Sequence, residues 1–395
     1  MLSKDMLALG TRRSVIREIF EFGKKRAAEV GPENVFDFSI GNPSIPAPEC
    51  VKKAILELLD NEDPCVLHGY TSAQGDPRAR RAIADYVNKT HGVALSPDDI
   101  YMTCGAAASL IISLKAMCVP GDEVISFAPF FPEYKVFVEA VGGRFAVIPP
   151  DAPRFQISAE QLRRTVNEHT KAVIINSPNN PSGVIYSAET LKSLAAVLED
   201  KAREYGHPIY LLADEPYREL VYDKNITVPY PMQFYKNTIV CYSYGKSLSL
   251  PGERIGYIAV SPEMEGSRDM YFAICGAGRA LGYVCAPSMF QLAVAKCQGQ
   301  TGDLEAYKAN RDLLYDGLTK LGFECVHPDG AFYLFVKSPE ADDEAFCEKA
   351  KKYDLLLVAG AGFGAPGYVR LAYCVKKSMI ERSLPAFEKL IKEYR

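Results

Sequence analysis

A lysine that directly follows a short apolar run is the residue best suited to covalent chemistry. The segment Tyr242–Gly256 reads YSYGKSLSLPGERIG, and Lys246 in it comes after the apolar residues 238–241. An amine beside a buried strand loses solvation, which lowers its pKa and favours nucleophilic attack on a carbonyl. Ser243 and Arg254 flank it with a hydroxyl and a cation suited to a phosphate. Alone, the segment also fits a surface loop with a solvated lysine.

Two further polar segments follow apolar runs that read as buried strands. Asp214 and Tyr217 come after residues 209–213, and Asn180 lies in the turn sequence NSPNNPSG that follows the run ending at residue 176. In open α/β sheets, ligands bind beyond the carboxyl ends of the strands, so these positions are candidates for one site. Taken alone, Asp214 also fits a helix N-cap, and Asn180 fits an ordinary turn.

The segment TCGAAAS opens an apolar helix with small residues. Gly105, Ala106 and Ala107 would let backbone N–H groups approach a phosphate, whose charge the helix dipole favours. Many helices begin this way, so the signal is weak by itself. Phe131 follows the strand-like residues 123–127 and fits either an aromatic wall of a site or the apolar core.

Three residues elsewhere have types suited to binding. Arg370 stands in YVRLAY, a β-rich run in which a cation needs a partner. It also fits a structural ion pair or an exposed arginine. Gly41, in SIGNP, would let a ligand approach the backbone, although it also fits a plain turn. Tyr70, in HGYTSAQG, fits a turn residue when taken alone.

Together these segments resemble a known family. Ser-x-x-Lys followed by Pro-Gly-x-Arg-x-Gly is similar to the cofactor-lysine signature of class I/II aminotransferases, which are fold-type-I enzymes dependent on pyridoxal phosphate (PLP) and include aspartate aminotransferase. Gly245 stands where the family commonly has Ser, and Ser177 replaces the first Asn of Asn-Pro-x-Asn-Pro-Thr/Ser-Gly. The resemblance runs in family order from Ser39 to Arg370.

The resemblance implies roles for the residues around the cofactor. Lys246 holds PLP as a Schiff base, and Asp214 keeps the pyridine nitrogen protonated, which PLP needs as an electron sink. Tyr217 and Asn180 hydrogen-bond the phenolic oxygen, and Phe131 stacks on the pyridine ring. The phosphate is bound by the start of the helix and by two side chains, namely Gly105, Ala106, Ala107, Ser243 and Arg254.

The family also implies how the substrate binds. Arg370 holds the α-carboxylate as a bidentate pair, and Gly41 and Asn180 line the same pocket. Tyr70 reaches the phosphate of the neighbouring subunit. We therefore expect a homodimer that binds an amino acid and a 2-oxo acid, with no metal site.

The hydrophobic pattern predicts the elements that must position these residues. Residues 14–30 read as an amphipathic helix with apolar residues at helical spacing, namely Val15, Ile16, Ile19 and Phe22. Further helices are predicted at 49–60, 76–91, 288–300 and 304–321. Apolar runs without alternation predict buried strands at 123–127, 172–176, 209–213, 238–242 and 255–260. Two later strands are predicted at 331–336 and 368–373.

Alternating strands and helices indicate an α/β fold with a mainly parallel sheet flanked by helices. The resemblance makes this the PLP-dependent transferase fold type I, with a seven-stranded sheet in a large domain and a smaller α+β domain. We expect residues 1–45 to pack with the small domain. Residues 46–287 are expected to form the large PLP-binding domain, and residues 288–395 the small one.

Composition argues against several classes of protein. The 395 residues carry a net charge of −4 and a pI of about 5.9, with no basic stripe, which argues against nucleic acid as a partner. The 11 cysteines are scattered without a CxxC pair, as expected of thiols in a reducing cytosol. No segment resembles a signal peptide or a bilayer-spanning helix. We therefore expect a cytoplasmic protein without a membrane partner.

The resemblance implies an aminotransferase that moves an amino group from an L-amino acid to a 2-oxo acid by a ping-pong mechanism. Aspartate with 2-oxoglutarate is the first candidate pair, although Ala107 stands where some aspartate-using members carry a Lys. Arg279, Arg12 and Arg13 are candidates to bind an acidic side chain, and each also fits a solvated arginine. Aromatic and alanine-type donors stay open.

Two alternatives use the same cofactor. A C–S lyase acting on cystathionine or cysteine would share the fold and the lysine, and would release pyruvate and ammonia without an acceptor. A PLP-binding regulatory module would carry a DNA-binding segment ahead of this domain. Only 35 residues precede Phe36, and the charge does not suit DNA.

Overall fold

The structure is a computed structural model that describes residues 2–11 and 15–395. Its strands form a seven-stranded, a four-stranded and a two-stranded sheet. In chain order the strands are β1 Phe36–Asp37, β2 Ile100–Thr103, β3 Glu123–Phe127, β4 Arg144–Ile148, β5 Thr170–Asn176, β6 Tyr210–Asp214, β7 Thr238–Ser243, β8 Gly256–Val260, β9 Cys325–Val326, β10 Tyr333–Lys337, β11 Leu355–Leu356, β12 Val358–Ala359 and β13 Tyr368–Ala372.

The seven-stranded sheet has the strand order β2-β8-β7-β6-β5-β3-β4. All its pairs from β7 to β4 are parallel, whereas β8 runs antiparallel to both β7 and β2. This confirms the mainly parallel, seven-stranded sheet. Because β5, β6 and β7 are parallel neighbours, their carboxyl ends meet at one edge, where their last residues are Asn176, Asp214 and Ser243.

Helices cover both faces of this sheet, as predicted. Alternate strand residues such as Ile174 and Ile175 enter opposite apolar cores; Leu110 and Ile274 face the first core and Ile83 the second. The helices are α1 Lys4–Thr11, α2 Val15–Val30, α3 Glu49–Asn61, α4 Pro64–Leu67, α5 Pro77–His91, α6 Ala106–Met117, α7 Glu133–Ala140, α8 Ala159–Thr165, α9 Ala188–Tyr205, α10 Tyr244–Ser247, α11 Ser267–Ala280, α12 Ser288–Ala295, α13 Leu304–Lys320, α14 Asp343–Lys351 and α15 Lys377–Lys392.

The four-stranded sheet, β12-β13-β10-β9, is antiparallel throughout and packs with α13 and α14, while α15 packs on α13, β1 and β11. Its core includes Leu314 and Phe387, and also Phe38 from the N-terminal segment and Tyr217 from the loop after β6. Tyr217 therefore joins the large sheet to the small one. The strand β1 lies parallel to β11 and ties the N-terminal segment to this region.

Several predicted boundaries differ from the structure. The helix predicted at 288–300 ends at Ala295, because the chain tightens into turns that lead to Gly299 at φ 73°. The strand predicted from residue 331 starts at Tyr333, because Ala331 has φ 58°, which a strand excludes. Phe22, expected on the apolar face of α2, is exposed.

The sequence patterns also missed β2 and β4. β2 has only four residues, and β4 is an edge strand with half-exposed positions, so neither carries a long apolar run. The division into residues 1–45, 46–287 and 288–395 stays a prediction. Within residues 2–11 and 15–395, no helix is long and apolar enough to cross a membrane.

Candidate active site

A cavity of about 520 Å³ opens at the carboxyl ends of β5, β6 and β7. All the site residues predicted from the sequence line it except Gly105 and Tyr70. The lining residues from that prediction are Gly41, Ala106, Ala107, Phe131, Asn180, Asp214, Tyr217, Ser243, Lys246, Arg254 and Arg370. The parallel strands therefore bring distant segments of the chain to one place.

Lys246 lies on the short helix α10, directly after β7. The Ser243 hydroxyl caps this helix by accepting the backbone N–H of Gly245 at 3.2 Å. Lys246 Nζ donates to the carbonyl oxygen of Gly41 at 2.6 Å. The pKa of Lys246 is lowered to about 8, first by burial and then by the nearby cations Arg370 and Arg254, against the opposing effect of Cys374. This amine therefore becomes neutral and nucleophilic at a lower pH than an ordinary lysine.

Asp214 ends β6 and is buried. Tyr134 donates to Asp214 Oδ2 at 2.5 Å, whereas Asp214 Oδ1 has no hydrogen-bond partner among the described residues. The pKa of Asp214 is raised to about 7, because the effects of burial and of the Glu215 charge outweigh the lowering effect of the hydrogen bond from Tyr134. A buried carboxylate oxygen without a partner calls for a donor in the cavity, and a cationic N–H would favour the charged carboxylate.

The end of β5 and the loop that follows it hold two asparagines that line the cavity. Asn176 accepts the backbone N–H of Asn180 at 2.7 Å and donates to the carbonyl oxygen of Asp214 at 2.8 Å. The Asn180 side-chain oxygen accepts from Arg370 at 3.0 Å. Facing them, the hydroxyl of Tyr217 lies 3.0 Å from that of Tyr333. Asn180 and Tyr217 thus present polar groups from the loops after β5 and β6, and their partners Arg370 and Tyr333 come from the small sheet.

The amino end of α6 forms one end of the cavity. Gly105 precedes it with φ 88° and makes no side-chain cap, so the first N–H groups of α6 stay available. A Cβ at Gly105 would lie 3.0 Å from Arg254 Nη2, which shows how closely the cation approaches the backbone. Arg254 itself is held by the carbonyl oxygens of Pro251 and Cys104 at 3.0 and 3.1 Å. With Ser243, this arrangement suits an anion.

Arg370, on β13, is 2% exposed. Its guanidinium donates to Asn180 Oδ1 and to the carbonyl oxygen of Ser39 at 2.5 Å, while Nε is buried without a partner among the described residues. It lies 4.6 Å from the ring centre of Tyr333. No carboxylate of the described chain forms an ion pair with it, and burial lowers its pKa. A buried cation without a counter-ion calls for an anionic ligand.

Other predicted residues lie outside the cavity. Tyr70 is 99% exposed, so it cannot contribute to the cavity of its own protomer. Arg279 lies exposed near the end of α11 and does not line the cavity. Arg12 and Arg13 fall outside the described residues.

Sequence reasoning missed several residues that line or support the cavity. Phe20 on α2, Ile40 and Tyr333 line it, and Tyr134 supports Asp214. Tyr134 stands three residues after Phe131 in the segment PFFPEY, so helical spacing could have indicated it. The others carry no local signature, because only the packing of distant segments brings them to the cavity.

Comparisons with known proteins identify the family of this chain. The family described as aminotransferase class I and II matches residues 33–387. A protein named probable aspartate aminotransferase from Methanocaldococcus jannaschii is 32% identical over 381 residues, which cover 94% of this chain and 95% of that one. A probable aspartate/prephenate aminotransferase from Thermus aquaticus is 32% identical over 88% of this chain and 89% of its own.

A solved structure agrees over the full length. The crystal structure of an amino transferase from Eubacterium rectale has a TM-score of 0.98 and 59% identity to this chain, covering 100% of this chain and 99% of its own. The chain therefore belongs to the class I and II aminotransferases. It is a PLP-dependent enzyme with the fold-type-I architecture that the sequence predicted.

The residues of the cavity fit PLP. The uncapped start of α6 with Arg254 and Ser243 suits the phosphate, and the unpartnered oxygen of Asp214 suits the pyridine nitrogen. Lys246 supplies an amine whose pKa burial has lowered. Each of these groups lines the same cavity, so one molecule of PLP can engage all of them.

Proposed function

We propose that this aminotransferase moves the amino group of an L-amino acid to a 2-oxo acid by a ping-pong mechanism, with aspartate and 2-oxoglutarate as the first candidate pair. The observation that carries the proposal is Arg370, a buried guanidinium without a carboxylate partner in the described chain, in the cavity that also holds Lys246. An α-carboxylate common to amino acids and 2-oxo acids would complete a bidentate pair there.

The roles of the chain's own residues follow from their positions. Arg254, Ser243 and the N–H groups of Ala106 and Ala107 would hold the phosphate. Asn180 and Tyr217 would bind the phenolic oxygen, and Phe131 would pack against the ring. These contacts fix the plane of the cofactor relative to Lys246.

Bound PLP supplies an electron sink for the pair of electrons released at the substrate's α-carbon. Asp214 keeps a proton on the pyridine nitrogen, because a carboxylate at Oδ1 favours the cationic form of that nitrogen. Lys246 Nζ would accept the proton from the substrate's α-carbon and then donate it to the cofactor carbon bonded to the transferred nitrogen. Its lowered pKa suits it to both directions of transfer.

Preference for an acidic substrate needs a second cation, which would bind the side-chain carboxylate while Arg370 binds the α-carboxylate. In the described chain the cations that line the cavity are Lys246, Arg254 and Arg370, and each has a role already. The names of the relatives from Methanocaldococcus jannaschii and Thermus aquaticus support aspartate as the donor. Arg279 of a second copy, or Arg12 or Arg13, would then bind the side-chain carboxylate.

We also propose a cytoplasmic homodimer in which Tyr70 enters the partner's cavity. The support is its complete exposure next to a partly apolar surface. Tyr283 and Val284 are 39% and 46% exposed, and Cys285 donates to the carbonyl oxygen of Thr71 at 3.3 Å, so the two segments adjoin. The absence of disulfides among the 11 cysteines fits a reducing compartment.

The test is a half-reaction with single amino acids and no acceptor. An aminotransferase converts a stoichiometric amount of its donor to the matching 2-oxo acid and then stops, and adding 2-oxoglutarate restores turnover. Aspartate should be the fastest donor. Continuous release of pyruvate and ammonia without an acceptor would instead establish a C–S lyase and overturn the proposal.

A further inference from the structure

We propose that Tyr134 is a positioning residue for the cofactor: by binding Asp214 Oδ2, it leaves Oδ1 as the charged acceptor for the pyridine nitrogen. The proposal rests on the role given above to Asp214. It starts from an asymmetry between the two oxygens of one buried carboxylate. Oδ2 accepts from the Tyr134 hydroxyl at 2.5 Å, and Oδ1 has no partner in the part of the chain that the structure describes.

The position of Tyr134 is fixed by its own segment. It is the second residue of α7, and its backbone N–H donates to the carbonyl oxygen of Phe131 at 3.0 Å. The rings of Phe131 and Tyr134 meet edge to face, with centres 5.7 Å apart and planes at 82°. Tyr134 is 1% exposed. One short segment thus supplies the residue beside the cofactor ring and the donor to Asp214.

Among the described residues, the other polar neighbours of Asp214 are engaged elsewhere. Around Asp214, Asn176 on β5 donates to the main-chain oxygen rather than to the carboxylate. Glu215 is paired with Arg218, and the Tyr217 hydroxyl is engaged with Tyr333.

On β7, the Cys241 thiol is the titratable group close to Asp214, and its own hydrogen bond is to Ser113 at 3.7 Å. Tyr134 is therefore the one side chain among the described residues that donates to the Asp214 carboxylate.

The physical consequence concerns the charge of Asp214. Burial disfavours the carboxylate, whereas a hydrogen bond donated to it favours the charged form. Without the Tyr134 hydroxyl, Asp214 would more readily take up a proton and rotate, and Oδ1 would no longer be a fixed anionic acceptor. The contact of Asp214 with the cofactor nitrogen would become weaker, while contacts to the phosphate would not change.

The test compares two ligands of the apoprotein in the Tyr134→Phe variant. One is PLP, and the other is its analogue with C–H in place of the ring nitrogen, which cannot pair with Asp214. We expect the variant to bind PLP roughly 10-fold more weakly, as for a lost hydrogen bond to a charged group. Binding of the analogue should not change. The Kd ratio of the two ligands cancels any general loss of folded protein.

A matched control is Tyr235→Phe, which removes a buried hydroxyl that donates to the carbonyl oxygen of Ile209 at 2.6 Å and does not line the cavity. It should leave both Kd values unchanged. An equal loss for PLP and the analogue in Tyr134→Phe would overturn the proposal, since it would show a structural role alone. If the unmodified protein did not bind PLP more tightly than the analogue, the result would contradict the proposed role of Asp214. The proposal for Tyr134, which depends on that role, would then be wrong as well.

Discussion

Lys246 Nζ donates to the carbonyl oxygen of Gly41 at 2.6 Å, across 205 residues of chain. The contact joins the helix after β7 to the N-terminal segment, which packs with the small sheet through Phe38. It also shows that the amine has a hydrogen-bond partner in the chain when it is not covalently bonded to the cofactor. The two residues therefore close the cavity from opposite sides.

The lowered pKa of Lys246 predicts how fast the apoprotein takes up PLP at different pH values. Burial places this pKa at about 8, so the amine is protonated and unreactive below it and neutral above it. The rate of adduct formation should rise with pH and level off above about 8. Stopped-flow absorbance measures it, with Nα-acetyl-lysine as the reference for the cofactor's own ionisation. A rate that rises up to about pH 10, as for an ordinary lysine, would contradict the lowered pKa.

Replacement of Asp214 by Asn should separate chemistry from cofactor attachment. The amide is nearly the same size but cannot hold a proton on the pyridine nitrogen. We expect kcat to fall roughly 100-fold or more, as for other lost electrostatic contacts in active sites, while the visible absorbance of the lysine-bound cofactor persists. Asp85→Asn, on an exposed position of α5, is the control. Unchanged kcat in Asp214→Asn would remove Asp214 from its proposed role.

Arg370→Lys should mainly weaken substrate binding. Lysine keeps the charge but cannot form a bidentate pair with a carboxylate. The loss of a charged hydrogen bond, about 1.5–3 kcal/mol, corresponds to a rise in KM of roughly 10- to 100-fold for both the amino acid and the 2-oxo acid. Steady-state kinetics on both substrates measure this. A KM that rises for neither substrate would show that the α-carboxylate binds elsewhere.

Gly41→Ala tests the close approach between the N-terminal segment and the small sheet. A Cβ at Gly41 would lie 2.0 Å from the hydroxyl oxygen of Tyr333, so one of the two must move. We expect a loss of about 1–3 kcal/mol in the free energy of unfolding, together with reduced activity. Tyr333→Phe removes that oxygen and should partly restore both in the double variant. Additive effects of the two substitutions would mean that they do not meet.

Site residues were predictable from the sequence where a local pattern marked their positions. Lys246, Asp214 and Asn180 each follow an apolar run, and parallel strands bring such positions together at one edge. Arg370 was predictable because a cation in an apolar strand needs a partner. The roles of these residues stay proposals, although the structure places them in one cavity.

Other parts depend on packing between distant segments, which no local pattern shows. Tyr333 and Phe20 reach the cavity because the small sheet and α2 fold against the large sheet. β2 and β4 were missed because one is short and the other is half exposed at an edge. The exposed Tyr70 shows a further limit, since its proposed contact lies on a second copy of the chain.

The central claim is that Lys246 holds the cofactor, and borohydride reduction followed by peptide mass spectrometry tests it most directly. Reduction of the PLP-loaded protein should fix the cofactor on the peptide that contains Lys246, and the exposed Lys236 should stay unlabelled. Lys246→Ala should show no label and a fall in turnover of roughly 10⁴-fold, while Arg254 and Ser243 retain some cofactor affinity. A label on another lysine, or no label after PLP is added, would contradict the account.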